Sequence, residues 1–165
     1  MKMSVFRISR IGLFAALLVI VQTALRSVPG LEFVSFFIVQ FAIAYPKDVK
    51  WICLVYVMIE GALWGFGLWW WTYLFLWPLF ALLCARFVPI FQGKWVYWSI
   101  YLGAFGLLFG AFFAIPYLVI DPSYALTYWI NGIYWDLAHC AGNAVLALAL
   151  GKPVQKAFDA IQRTH

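Results

Sequence analysis

Long apolar runs alternate with short polar breaks along the chain, and this pattern predicts six helices. The runs cover residues 8–25, 32–46, 51–66, 71–87, 97–117 and 133–151. The breaks carry turn residues, as in Pro29-Gly30 and Asp121-Pro122. Asn131-Gly132 interrupts the last apolar stretch. The sequence therefore predicts a loop or interfacial segment rich in Tyr and Trp, then a sixth helix capped by Asn131, and finally an amphipathic helical tail over 152–165 on the membrane surface.

Composition indicates that these helices cross a membrane. The 165-residue chain is 67% hydrophobic and 10% charged, with a mean hydropathy of +0.94. A typical soluble domain is about 45–50% apolar and about 25% charged. A soluble fold of this size would have too few polar side chains to cover so much apolar surface. These values exclude a soluble enzyme and predict a single all-α integral membrane domain, 1–165, with six transmembrane helices.

The net charge of +5 indicates orientation rather than nucleic-acid binding. With six spans and both termini in the cytoplasm, every Lys and Arg except Arg26 falls on the cytoplasmic side, as the positive-inside rule requires. We therefore expect a multi-pass protein of a prokaryotic plasma membrane, in contact with lipid and without a nucleic-acid partner. The three cysteines stand singly in apolar runs, which indicates small core residues and no metal site.

Ionisable groups inside membrane spans cost on the order of 2.5–3.5 kcal/mol each, so each of them needs a structural or functional reason. In the sixth predicted helix, Asp136, His139 and Asn143 have helical spacing and share one face. A carboxylate, an imidazole and an amide on one face can orient a bound polar heterocycle. The same three side chains could equally hold neighbouring helices together, and the sequence leaves both interpretations open.

Further candidates lie on the same side of the predicted bundle. Glu60 is either a ligand contact or an ion-pair partner of Arg26 or His139, and Arg26 and Glu32 are either solvated loop charges or ligand contacts. The neighbouring tryptophans can stack on a flat ring, or they can form an interfacial belt. The candidates among them are Trp64, Trp70, Trp71 and Trp135.

Motifs of soluble enzymes are absent from the sequence. It contains no Walker A motif, no GxGxxG, no HExxH and no GxSxG. Asp136 and His139 could form a catalytic pair, but no nucleophile accompanies them, so we predict no enzyme activity, no cofactor and no metal. In helix five, Gly103, Gly106 and Gly110 have the spacing that lets two helices approach closely.

Several stretches carry a resemblance to a known family. The most specific is Gly132-Ile-Tyr-Trp-Asp-Leu-Ala-His-Cys-Ala-Gly-Asn143. Weaker ones are Arg10-Ile-Gly-Leu-Phe-Ala-Ala-Leu-Leu18, Pro29-Gly-Leu-Glu-Phe-Val-Ser35, Trp77-Pro78, Gly106-Leu-Leu-Phe-Gly110 and Gly151-Lys-Pro153. Together they resemble the substrate-binding S components of energy-coupling factor (ECF) transporters, the vitamin uptake systems of prokaryotes. The first stretch is similar to the family signature Gly-Ile-Pro-Phe-Asp-Leu-x-His-x-x-Gly-Asn, from which Tyr134 and Trp135 depart.

The resemblance implies a six-helix protein that captures a micronutrient outside the cell and topples in the membrane when it docks on its partners. Those partners would be a membrane coupling subunit and two ATPase subunits. Gly12, Ala15 and Ala16 would contact the coupling subunit, although the family pattern is Ala-x-x-x-Ala. The tryptophans favour a flat heterocycle as substrate, and a tetrapyrrole such as haem or a corrinoid, with His139 as axial ligand, is the second possibility.

A membrane scaffold like the cell-shape protein MreD is the alternative function. Such a scaffold has no need for Asp136, His139 and Glu60 around a cavity. A pocket of about 300 Å³ or more at their level would therefore favour a binding protein over a scaffold.

Overall fold

The computed structural model describes residues 4–28 and 30–163, and these residues form six α-helices without a strand. The helices are α1 (Val5–Leu25), α2 (Phe33–Ala44), α3 (Val49–Trp64), α4 (Leu68–Phe91), α5 (Trp95–Ile120) and α6 (Pro122–Arg163). The all-α class and the six helices are confirmed. Four helices, α1, α4, α5 and α6, are long and apolar enough to cross a membrane, whereas α2 is apolar but has only 12 residues and α3 has 16.

Successive helices run in opposite directions, so the bundle has two ends with different chemistry. At one end, the start of α1 meets the α2–α3 turn, where Arg7 and Arg10 both bind Asp48. The last turns of α6 also lie there, because Gln162 Nε2 donates to the Ala44 carbonyl at 2.7 Å. We call this the basic end. The opposite or distal end holds the 26–32 loop, the 65–67 turn and Asp121, the residue between α5 and α6.

Helix α6 is continuous, and the predicted break at Asn131-Gly132 is wrong. The helix begins at Pro122 because the Asp121 carboxylate accepts the N–H groups of Ser123 at 2.9 Å and Tyr124 at 3.3 Å. An Asp cap followed by proline is a strong helix start. Glycine inside a helix costs about 1 kcal/mol, which packing of α6 along α5 offsets. Residues 124–130, expected as an interfacial segment, are therefore helical.

The predicted surface tail is also part of α6. Residues 152–163 continue the helix through Pro153, and Phe158 packs edge-on against Phe14 and Phe41, with ring centroids 5.8 Å apart in each case. The tail is thus held against α1 and α2 instead of lying apart from the bundle. Its last two predicted residues, 164 and 165, lie outside the described residues.

The other helix ends differ from the predicted ones by up to four residues. The largest difference is at the end of α4, which continues through Pro89 to Phe91. Proline is tolerated there because neighbouring helices and local adjustments can satisfy the backbone groups that it frees.

Helices α5 and α6 form a hairpin whose backbones approach closely, as the glycine spacing predicts. A Cβ atom added to Gly106 would lie 2.8 Å from the carbonyl oxygen of His139, and one added to Gly110 would lie 2.8 Å from Asp136 Oδ1. Small residues remove the side chains that would otherwise separate the helices. This contact sets the height at which His139 and Asp136 sit along the bundle.

Candidate functional site

Two adjoining cavities open at the distal end of the bundle. The first, which we call the glutamate cavity, has a volume of about 410 Å³ and contains Glu60 in its lining. The second, the histidine cavity, has a volume of about 360 Å³ and contains His139 and Glu32. Both exceed the lower limit of about 300 Å³ that is typical of a small-molecule site. They share a wall made of Gln22, Arg26 and Tyr73, in which Gln22 Nε2 donates to Tyr73 Oη at 3.0 Å.

Glu60 occupies the last turn but one of α3 and faces the glutamate cavity. Its residue surface is only 3% exposed, and its Oε1 atom has no hydrogen-bond partner among the described residues. Arg26, the one cationic side chain in this lining, forms no ion pair with Glu60 within 4 Å; its guanidinium lies 4.6 Å from the centre of the Trp64 ring. The carboxylate is therefore left free to accept a hydrogen bond.

His139 reaches the histidine cavity from α6, beside the ring of Phe109 with centroids 5.9 Å apart. Its Nδ1 atom is buried and has no partner among the described residues, and the same is true of Nε1 of Trp77, which lines the same cavity. An indole nitrogen can only donate, whereas an imidazole nitrogen donates or accepts according to its protonation. The cavity wall thus presents at least one unused donor next to aromatic surface.

Glu32 lies between helices, and its first role is structural. Both carboxylate oxygens accept the N–H of Ser35, at 3.0 and 3.1 Å, so Glu32 caps the start of α2. Burial raises the pKa of this carboxyl above its ordinary value, while the hydrogen bonds from Ser35 act in the opposite direction. Glu32 still forms part of the histidine cavity, so its cap holds a carboxylate at the cavity wall.

The 26–32 loop is seated directly on α6. Gly30 has φ of +76°, and a Cβ atom on it would lie 2.9 Å from the Ala138 carbonyl oxygen. A Cβ on Gly142 would overlap the Gly30 carbonyl oxygen. Glycine is thus required on both sides of this contact, which brings Glu32 close to His139 although they are far apart in sequence.

Asp136 and Asn143 lie outside the linings of both cavities. Asp136 Oδ1 accepts the Gly110 N–H at 2.8 Å, and Asn143 Nδ2 donates to the Leu102 carbonyl at 3.4 Å. Both residues are nearly fully buried between α5 and α6. The three polar residues do share an inward face, but of the three it is His139 that lines a cavity while its two neighbours hold the hairpin together.

Two of the four candidate tryptophans line one of these cavities, and the other two line neither of them. Trp64 lines the glutamate cavity and Trp135 lines the histidine cavity. Trp70 is buried instead between α3 and α4, where its Nε1 donates to the Val57 carbonyl at 2.9 Å. Trp71 lines a larger hollow of about 570 Å³ on the outside of α4 and α5, which has almost no polar lining. We place no binding chemistry in that hollow, because its lining is almost entirely apolar.

Sequence reasoning missed several residues of the two linings. Gln22, Thr23 and Phe113 were not candidates, and Gln22 is a polar residue inside the otherwise apolar first helix. In α4, the spacing of aromatic residues could have predicted part of the lining, because residues four apart lie on one face of a helix. That face carries Trp69, Tyr73 and Trp77.

The residues expected to contact a coupling subunit lie in the first half of α1. Ala15 is fully buried inside the bundle, so it cannot contact a partner from the position it has here. Gly12 is exposed with no atom within 4 Å of an added Cβ, and Ala16 is half-buried. Gly12 and Ala16 stand one turn apart and form a small-residue strip on the surface of α1.

No protein-family model, no curated protein and no solved structure matches the chain. Within residues 4–28 and 30–163, no three His, Cys, Asp or Glu side chains come together in a group that could hold a metal ion. The function therefore has to be inferred from the chain's own cavities and from the side chains that line them.

Proposed function

We propose that the chain is the S component of an ECF-type transporter in a prokaryotic plasma membrane. It binds a vitamin or vitamin-like micronutrient from outside and carries it across when it docks on a coupling subunit with two ATPase subunits. One observation carries this proposal. Arg26 and Glu32 from the loop between α1 and α2, Glu60 from α3 and His139 from α6 converge on two adjoining cavities at one end of the bundle.

The unused polar atoms at this end favour binding over a scaffold role. Glu60 Oε1, His139 Nδ1 and Trp77 Nε1 are buried without partners in the described chain. In a bundle that crosses a membrane, unpaired polar groups are expensive, and they mark substrate paths and binding sites. An MreD-like scaffold would be more stable with these groups paired to one another or replaced by apolar residues.

The shape and lining of the cavities suit a flat heterocycle. Ligand pockets are typically about 300–1,000 Å³ and combine aromatic walls with a few polar groups. Tyr73 forms part of both linings, with Trp64 on one side and Trp135 on the other. A ring held between such walls would take its orientation from hydrogen bonds to Glu60 and His139.

The charge distribution supports transport into the cell. Arg7, Arg10, Lys47 and Arg163 belong to segments at the basic end, which supports a cytoplasmic position for this end and an outward position for the cavities. Both termini are then cytoplasmic, and the chain crosses the membrane six times. The Gly12 and Ala16 strip on α1 would form part of the contact with the coupling subunit. The chain has no ATP-binding motif, which is why separate ATPase subunits are required.

Native mass spectrometry of the protein purified in mild detergent tests this function. We expect the wild-type protein to retain a small molecule, and His139→Ala to lose most of it while remaining folded. His165→Ala changes the chain's second histidine and should retain the compound. If the wild-type protein retains nothing, and cells producing it with an ECF coupling module show no ATP-dependent uptake of a micronutrient, the proposed function is wrong.

A further inference from the structure

Glu60 differs from four of the other five carboxylates of the chain, each of which has a partner within it. Asp48 is bound by two arginines, Glu32 caps α2, Asp121 caps α6 and Asp136 accepts a backbone N–H. Glu60 is as buried as Asp48 and Asp136, yet no described residue donates a hydrogen bond to its Oε1 atom, and the residue lines the glutamate cavity. A buried carboxylate without a partner is costly, so a ligand that supplies a positive charge or a strong donor there would be held firmly.

Aromatic side chains form much of the cavity lining around Glu60. The glutamate cavity is lined by Trp64, Trp69, Tyr73 and Phe113. Tyr73 meets both Trp69 and Phe113 edge to face, with centroids 5.2 and 5.6 Å apart, so these rings form a continuous aromatic wall. A cation within about 6 Å of a ring centre is attracted by the ring electrons, and aromatic cages of this kind bind organic ammonium groups. The aromatic rings and the Glu60 carboxylate therefore both favour a cationic ligand.

Arg26 already contacts the Trp64 ring, so the position left for such a cation lies next to Glu60 and the rings of Trp69, Tyr73 and Phe113. Its guanidinium rests on the Trp64 ring, the residue is exposed, and no ion pair with Glu60 is formed. Because Arg26 stands at the exposed side of the cavity and Glu60 at its buried side, a cation must enter past a positive charge to reach the carboxylate. An anionic ligand would stop at Arg26, where it would leave Glu60 unpaired.

We propose that the glutamate cavity binds the positively charged part of an organic cation, such as a protonated or quaternary aromatic nitrogen, with Glu60 as its counter-ion. Its role as part of a substrate rests on the proposed function. The histidine cavity then holds the uncharged remainder of the molecule. The two linings share Gln22, Arg26 and Tyr73, so a ligand that spans both cavities would contact these residues.

A matched pair of probes tests the proposal on the purified full-length protein. 1-Methylnicotinamide carries a fixed positive charge, and 3-methylbenzamide has nearly the same shape without it. Isothermal titration calorimetry should show that the wild-type protein binds the cation at least tenfold more tightly than the neutral probe. Glu60→Gln should abolish this preference by weakening binding of the cation at least tenfold. Asp159→Asn, which neutralises a carboxylate outside both linings, should behave as wild type.

Equal affinities for the two probes, a lack of cation binding, or a preference that survives Glu60→Gln would overturn the proposal. Arg26→Gln gives a second test if Glu60→Gln fails to fold. Removal of the competing positive charge should tighten cation binding severalfold, and unchanged or weaker binding would contradict the assignment.

The test of the cation site and the test of the proposed function can fail independently of each other. A retained neutral or anionic compound that is lost in His139→Ala would overturn the cation site and leave the S-component role standing. Selective cation binding by a protein that supports no ATP-dependent uptake would leave the cation site standing and contradict transport.

Discussion

Asp48 at the basic end and Glu60 at the distal end are both 3% exposed, yet their surroundings differ in kind. Asp48 Oδ1 accepts from Arg7 Nε at 2.5 Å, and its second oxygen is bound by Arg10. Glu60 lines a cavity, and its Oε1 atom has no hydrogen-bond partner in the described chain. The comparison teaches that burial alone does not identify a functional carboxylate. A carboxylate whose partners come from its own chain supports the fold, whereas one left without a partner is available to a ligand.

The largest expected effect is at Asp48. Asp48→Asn leaves two guanidinium groups without their counter-charge at the junction of α1 with the α2–α3 turn. Loss of one partner of a buried pair costs about 3–5 kcal/mol, and partial exposure of Arg7 and Arg10 reduces this to about 2–3 kcal/mol. Thermal unfolding in detergent measures the loss, with Asp159→Asn as the control. A stability equal to wild type would show that the pairing at the basic end is not structural.

The second-largest expected effect is at the contact between Gly142 of α6 and Gly30. Gly142→Ala places a Cβ atom onto the Gly30 carbonyl, so the 26–32 loop has to move, at a cost of about 1–3 kcal/mol. Ligand retention should fall as well, because Glu32 moves with the loop. Gly132→Ala is the matched control on the same helix, where an added Cβ meets no atom, and it should stabilise the protein by up to about 1 kcal/mol. Equal stability of the two variants would contradict this account of the contact.

Glu60→Gln should change stability in the direction opposite to Asp48→Asn. The substitution removes a buried charge that forms no hydrogen bond or ion pair with a described residue, so we expect unchanged stability or a gain of about 1 kcal/mol in the absence of ligand. Thermal unfolding of the two amide variants side by side provides the measurement. If both variants lose the same stability, the two carboxylates are alike and the comparison fails.

The smallest expected effect is a difference in ligand retention between variants of Trp64 and Trp71. Trp64→Leu removes a ring of the glutamate cavity and should weaken ligand retention severalfold, whereas Trp71→Leu changes a ring of the outer hollow and should leave it unaltered. Both residues are about half exposed, which makes them a matched pair. Native mass spectrometry of the two variants measures how much ligand each retains. Equal retention would show that Trp64 does not contribute to the site.

Much of the fold was predictable because apolar periodicity and turn chemistry are local. The six helices follow from apolar runs, and the glycines of α5 correctly predict close packing against α6. The failure at Asn131-Gly132 has a physical cause, since local propensity at these residues is outweighed by the cap at Asp121 and by packing along α5. The tail was predicted as helical, but its packing on α1 and α2 was not, because the contacts of Phe158 with Phe14 and Phe41 are long-range.

The site was predictable only as a set of candidates. Asp136 and His139 share a helical face, and no rule of spacing can tell that Asp136 meets the backbone of α5 while His139 meets a cavity. Gln22 and Tyr73 escaped notice because a single amide or hydroxyl in an apolar helix is also typical of helix packing.

The sequence by itself determined an all-helical, strongly apolar chain with its basic residues gathered at one end, because each of these properties depends on composition and on neighbours along the chain. Only the tertiary structure decided which buried polar groups are paired. Arg26, Glu60 and His139 stand on segments far apart in sequence, and their partners depend on how α1, α3 and α6 pack. Hydrogen bonds act over about 3 Å, so the same residues could be inert or could form a binding site according to that packing.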